Sequence, residues 1–141
     1  MEFKLNIGCP KAKKCYKKEL KDDDCRVLIE KKIGDIIKGE AVGFKGYEFQ
    51  ITGGSDYCGF PMRKDVNGSQ RKKILIASGV GIKKRKRKGI RLRKTVAGSV
   101  INENTVQINM KTVKYGPEPM EKPAETSETK EVEKKKEEEK K

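Results

Sequence analysis

Between residues 2 and 116, polar and apolar positions alternate with a period of two more often than with any helical period. Phe3, Leu5 and Ile7 alternate with polar residues in FKLNI, as do Tyr47, Phe49 and Ile51 in YEFQI and Val106, Ile108 and Met110 in TVQINM. Each pattern predicts a half-buried strand. Ile74, Leu75 and Ile76 form a short apolar run, and Ile90, Leu92 and Val96 are interleaved with Arg91, Arg93 and Thr95. Asn102, Glu103 and Asn104 read as a hairpin turn joining the last two of these strands. The best helical stretch is CRVLIEKKIGDIIKGEAVG, weakened by Gly34, Gly39 and Gly43, and the acidic run Asp22, Asp23 and Asp24 ahead of it reads as a solvated turn. Short strands separated by glycine-rich turns predict a mainly β fold: a small barrel or sandwich of short antiparallel strands with few or short helices.

The pattern stops at GPEPMEKP, where three prolines fall within eight residues. Beyond it Val132 is the single large apolar residue among glutamates and lysines. Such a segment buries too little surface to offset its ordering entropy. The expected organisation is therefore one β-rich domain over residues 1–116, then a proline-rich linker and a disordered tail over residues 117–141.

Charge separates the same two parts. The 141 residues carry a formal net charge of +14; residues 1–116 hold 28 Lys/Arg against 12 Asp/Glu, and the tail holds 7 Lys against 9 Glu. A domain this basic repels itself when compact, which points to an anionic partner, with nucleic acid ahead of a membrane surface. No apolar run is long enough for a transmembrane helix, and MEFKLNIG lacks the apolar segment of a signal peptide, so a cytoplasmic location and no membrane partner are expected. Cys9, Cys15, Cys25 and Cys58 include no CxxC pair, and the chain has no histidine. Reduced thiols and no metal site are the expectation. The missing imidazole also removes the usual base near neutral pH and every histidine-dependent triad, so no catalytic residue, cofactor or small-molecule substrate is assigned.

Two stretches carry candidate chemistry. In ITGGSDYCGFPMR, residues 51–63, Gly53, Gly54 and Gly59 permit positive φ or close backbone approach, and Asp56 can form an Asx turn. One reading makes Phe60 an anchor that holds this loop to the core. The other has its backbone N–H groups, with Arg63, facing a phosphate. The second stretch is denser. Residues 71–94 hold 12 Lys/Arg and no acid: Arg71, Lys72, Lys73, the uninterrupted run Lys83, Lys84, Arg85, Lys86, Arg87 and Lys88, then Arg91, Arg93 and Lys94. The cations lie between two apolar strands, so a folded scaffold positions them. On the second strand Arg91, Arg93 and Lys94 are expected on one face, opposite Ile90 and Leu92. With no acid nearby and no aromatic in the segment, phosphate and shape contacts are favoured over base stacking.

In sequence order, FKLNI, GYEFQITGGSDYCGFPMR, RKKILIASG, LRKTVAGSVI and TVQINMKTVKYG resemble the archaeal and eukaryotic type of small-subunit ribosomal protein six. The combination of GG-x-D-x-x-GFPM with K-[ST]-V-x-G is the specific part, and the resemblance covers about residues 4–116. It implies a structural constituent of the small ribosomal subunit, cytoplasmic and ribosome-associated, whose partners are small-subunit ribosomal RNA and neighbouring ribosomal proteins. It further implies that the cations of residues 71–94 lie against RNA phosphates. Two positions depart from the family pattern: Ala97 replaces a common arginine, and Tyr57-Cys58 replaces a polar pair. The phosphorylated serines of eukaryotic tails have no counterpart, since Ser127 stands alone among glutamates. A free-standing basic nucleic-acid-binding protein or RNA chaperone using the same patch is the alternative.

Overall fold

The computed structural model describes residues 2–82 and 89–116, the side chains of Asp22 and Asp23 excepted. Both the six-cation run, residues 83–88, and the expected tail, residues 117–141, lie outside the described residues.

The alternating segments become strands. In chain order these are β1 (Glu2–Cys9), β2 (Lys14–Lys21), β3 (Ile36–Lys38), β4 (Glu48–Asp56), β5 (Lys72–Ile76), β6 (Leu92–Val96) and β7 (Thr105–Lys114). One short helix α1 (Asp22–Arg26) and a 3-10 turn (Gly39–Val42) complete the set. Five strands form a sheet in the order β2-β1-β7-β4-β3, and β5 with β6 forms a separate ribbon. The fold is mainly β as expected, a small open sandwich with neither sheet closed. One pairing departs from the antiparallel expectation: β1 runs parallel to β7.

Register explains the core. Phe3 stands opposite Leu20, Leu5 opposite Ile108 and Ile7 opposite Met110. Ile51 faces Met110 from the other side, and Ile37 stands opposite Phe49. These side chains share one face of the sheet and are buried, because strand partners in register project to the same side. Cys25, Leu28, Val42, Met62, Ala97 and Ile101 close over them. The covering layer is held by backbone bonds between residues 30–33 and 99–101, where the Ile33 N–H donates to the Ser99 carbonyl at 3.0 Å and the Ile101 N–H to Lys31 at 2.9 Å.

Several expectations are corrected here. The long helical candidate shrinks to α1 and the 3-10 turn, and residues Asp22, Asp23 and Asp24 open that helix instead of a solvated turn. Asn102 does begin a turn, since the Thr105 N–H donates to its carbonyl at 3.0 Å. The turn makes no hairpin, because β6 pairs with β5 and β7 with β1 and β4. Gly53 and Gly54 belong to β4, not to a loop. There the register shifts between Ile51 and Gly53, and a Cβ on Gly54 would meet the Gln107 carbonyl oxygen at 2.4 Å. Strand proximity is what requires that glycine. The loop proper is the tight turn after Asp56, closed by the Gly59 N–H donating to the Asp56 carbonyl at 2.8 Å. Met62 is buried in the core, while Phe60 is half-buried outside it. Met62 is therefore the anchor. Phe60→Ala is expected to cost about 1 kcal/mol in urea unfolding, as half-burial implies; a loss of several kcal/mol would restore Phe60 as the anchor.

Candidate nucleic-acid interface

The ribbon carries the acid-free segment. Its root is a small core of its own, in which Val66, Ile76 and Val96 are buried with Ile74 and Ile82 against them. In register, Lys73 stands opposite Thr95, Ile74 opposite Lys94, Leu75 opposite Arg93 and Ile76 opposite Leu92. Arg93 and Lys94 therefore project to opposite faces, against the expectation of one cationic face, and Arg91 precedes β6. The face that holds Leu92 is not closed either, since Leu92 is 42% exposed, and Leu75, on the face of Arg93, is 63% exposed. Cations thus stand on both sides of the ribbon. Lys72, Lys73, Arg91, Arg93 and Lys94 are exposed, and none forms an ion pair with an acidic group among the described residues.

Three other candidates are brought together differently. Arg71 and Asp56 bind each other: the guanidinium Nε donates to the Asp56 carboxylate. The same guanidinium lies 4.6 Å from the Tyr57 ring centroid and 5.4 Å from that of Phe60. Asp56 is buried. Burial pushes its carboxyl up, but the hydrogen bond and charge of Arg71, with the N–H groups of Cys58 and Tyr57, outweigh burial and hold it below its ordinary 3.8. Arg71 is raised in turn, chiefly by its hydrogen bond to Asp56. Arg63 is committed as well, donating to the Val80 carbonyl at 2.9 Å and to Asp65 at 2.5 Å. These two arginines tie the ribbon to β4 and to its own outgoing chain. The sequence held one signal for the first pair: Asp56 is the sole carboxylate between Glu48 and Asp65.

Gly59 lies in the turn with φ +79°. Tyr57 and Cys58, the departing pair, are exposed at the same turn. Ala97 is buried, with its N–H on the Pro61 carbonyl at 3.0 Å. Gly98 of the K-[ST]-V-x-G motif packs so tightly that a Cβ would fall 1.9 Å from the Gly68 carbonyl oxygen. Among the described residues no group of three His, Cys, Asp or Glu side chains can hold a metal ion, and no helix is long and apolar enough to cross a membrane.

The motifs are thus joints of one scaffold, and the scaffold is shared. A family model described as "Ribosomal protein S6e" matches residues 3–125. The chain belongs to the ribosomal protein S6e family. Among its relatives, the "Small ribosomal subunit protein eS6" of Methanocaldococcus jannaschii is 45% identical over 113 residues, covering 80% of this chain and 83% of that protein. The protein of the same name from Archaeoglobus fulgidus is 44% identical over 122 residues, covering 86% and 94%. That from Thermoplasma acidophilum is 44% identical over 115 residues, covering 82% and 91%. The family is one of structural ribosomal proteins, not of enzymes. Its match extends past Gly116 to residue 125, into the proline-rich stretch.

Proposed function

We propose that the chain is a structural constituent of the small ribosomal subunit, cytoplasmic and ribosome-associated, with ribosomal RNA and neighbouring ribosomal proteins as its partners. Its main RNA contact is the β5–β6 ribbon with the connection between the two strands. The observation that carries this reading is the set of exposed, acid-free cations on a ribbon with its own core. Lys72, Lys73, Arg91, Arg93 and Lys94, joined by Lys83, Lys84, Arg85, Lys86, Arg87 and Lys88, neutralise phosphates and fix the position of the protein. Arg71, Asp56 and Arg63 serve the contact by holding the ribbon root.

The test is a salt titration of binding to small-subunit ribosomal RNA. Replacing Arg91, Arg93 and Lys94 with glutamine is expected to weaken binding and to flatten the log–log salt slope by roughly two, at ~0.7–0.9 per phosphate contact. Thermal stability should hold, because the replaced side chains are exposed and relieve like-charge repulsion. An unchanged slope would show that these cations are only a solvated surface. Loss of the parent protein from small subunits in a moderate-salt gradient would instead favour a free-standing RNA binder.

A further inference from the structure

The ribbon root lies at one end of the five-stranded sheet, where Asp56 stands opposite Thr105. A second basic surface lies toward the other end, near the β1–β2 turn. Residues 10–18 contain five lysines and no acid. Lys18 is turned inward and donates to the Val42 carbonyl at 2.7 Å, but Lys13, Lys14 and Lys17 are exposed. None of these three forms an ion pair among the described residues. The turn does not dangle. The Lys11 N–H donates to the Tyr115 hydroxyl at 3.3 Å, and the Lys11 ammonium sits 4.3 Å from the Tyr115 ring centroid. The turn is therefore tied at Lys11 to Tyr115, just past the end of β7, which lowers the ordering cost of binding.

The uncovered face of the sheet continues this surface. In register, Lys17 stands opposite Asn6 and Cys15 opposite Gly8, and Asn6 and Gly8 stand opposite Asn109 and Lys111 of β7. Asn6 donates to the Asn109 side-chain oxygen at 3.2 Å, and Gln107 donates to the same atom at 2.9 Å. A linked row of amides thus runs between lysines. Gly8 and Gly53 leave the face low, with open space above Gly53. Two carboxylates on these strands are occupied: Glu19 lies against Lys4 at 3.9 Å and Glu48 against Lys114 at 3.4 Å.

We infer that this face, with Lys17 and Lys111 beside its amide row and Lys13 at the adjoining turn, is a second RNA-binding surface that engages a segment distinct from the one on the ribbon. The inference rests on the proposed ribosomal role. Lysines and amides over a flat face suit phosphates and ribose hydroxyls, whereas the core of a protein interface is depleted of lysine and enriched in aromatic side chains. Six residues of β7 separate the pairings Asp56–Thr105 and Gly8–Lys111, roughly 20 Å along the strand. The protein would therefore bridge two RNA segments.

The experiment compares the full chain with two triple variants, Lys13→Gln/Lys17→Gln/Lys111→Gln on the sheet face and Arg91→Gln/Arg93→Gln/Lys94→Gln on the ribbon, and with their combination. Hydroxyl-radical footprints on small-subunit ribosomal RNA and salt slopes are read together. Each triple variant is expected to lower the slope by roughly two and the combination by roughly four. Each should erase a different protected segment. An intact footprint and slope in the sheet-face variant would overturn the inference, as would loss of one and the same segment in both variants. Normal RNA binding with failed incorporation into small subunits would assign the face to a protein neighbour, which also overturns it. A silent ribbon variant beside an affected sheet-face variant would sink the ribbon reading alone.

Discussion

Gly98→Ala is expected to abolish cooperative folding at ambient temperature. A Cβ there would lie 1.9 Å from the Gly68 carbonyl oxygen and 2.7 Å from its carbon. The obstacle is backbone, so no rotamer change can clear it. That backbone is itself fixed, since the Ser99 N–H donates to Val66 at 2.8 Å and the Val100 N–H to Gly68 at 3.2 Å. Making room means parting these two segments and with them the joint between the ribbon and the main sheet. The cost should exceed the ~1–3 kcal/mol usual for an overpacked site, against a total stability of about 5–15 kcal/mol. Gly53→Ala is the control, because a Cβ there meets nothing within 4 Å, and it should stay within about 0.5 kcal/mol of the parent. Urea unfolding followed by circular dichroism measures both. A Gly98→Ala protein that unfolds at the parental midpoint would show that the chain can relax where the packing says it cannot.

The strands that bury one face were legible because alternation is the direct imprint of one-sided burial. FKLNI, YEFQI and TVQINM became β1, β4 and β7, the centre of the sheet. The edge strand β2 was not legible. Its inward positions are Tyr16, Lys18 and Leu20, and a lysine whose ammonium reaches the Val42 carbonyl carries no apolar signature. The partners of β6 were missed for a different reason. Proximity in sequence favoured a hairpin with β7, yet residues 97–101 are spent on pairing with the 30–33 segment and on Met62. Alternation gives a strand its faces and leaves its neighbours open.

For the candidate site, composition located the acid-free ribbon but not the division of labour within it. A count of cations cannot tell Arg93, which is exposed, from Arg71, which is neutralised at home. The difference comes from a tertiary contact between the end of β4 and the start of β5. Likewise the lysines around the β1–β2 turn were passed over because they are interrupted by Ala12, Cys15 and Tyr16. Only register places Lys17 and Lys111 on one face. Basic surfaces built from separate strands leave no run in the sequence.

Arg71→Gln is expected to change how stability responds to acid, and this is the sharpest test of the ribbon root. In the parent, Asp56 is held below its ordinary 3.8 despite burial, because Arg71 bonds and neutralises it. A depressed folded value means that the unfolded chain takes up the proton first. The stabilisation is then present above 3.8 and is lost as pH falls through the folded value. Without Arg71, burial meets only the Tyr57 and Cys58 N–H groups, and the carboxyl moves upward. If it passes its ordinary value the sign reverses, and Asp56 then costs stability as pH rises. The gap in urea midpoint between parent and variant should therefore be widest at neutral pH and narrow as acid takes the pH below 3.8. Asp56→Ala removes the titrating group and should cost about 1.5–3 kcal/mol near neutrality, the range for a charge-assisted hydrogen bond. Both variants loosen the ribbon root, so both should weaken RNA binding while leaving the salt slope near that of the parent, since no phosphate contact is removed. A gap that does not vary with pH would mean that Arg71 does not neutralise Asp56. A flattened slope would put Arg71 on the RNA after all.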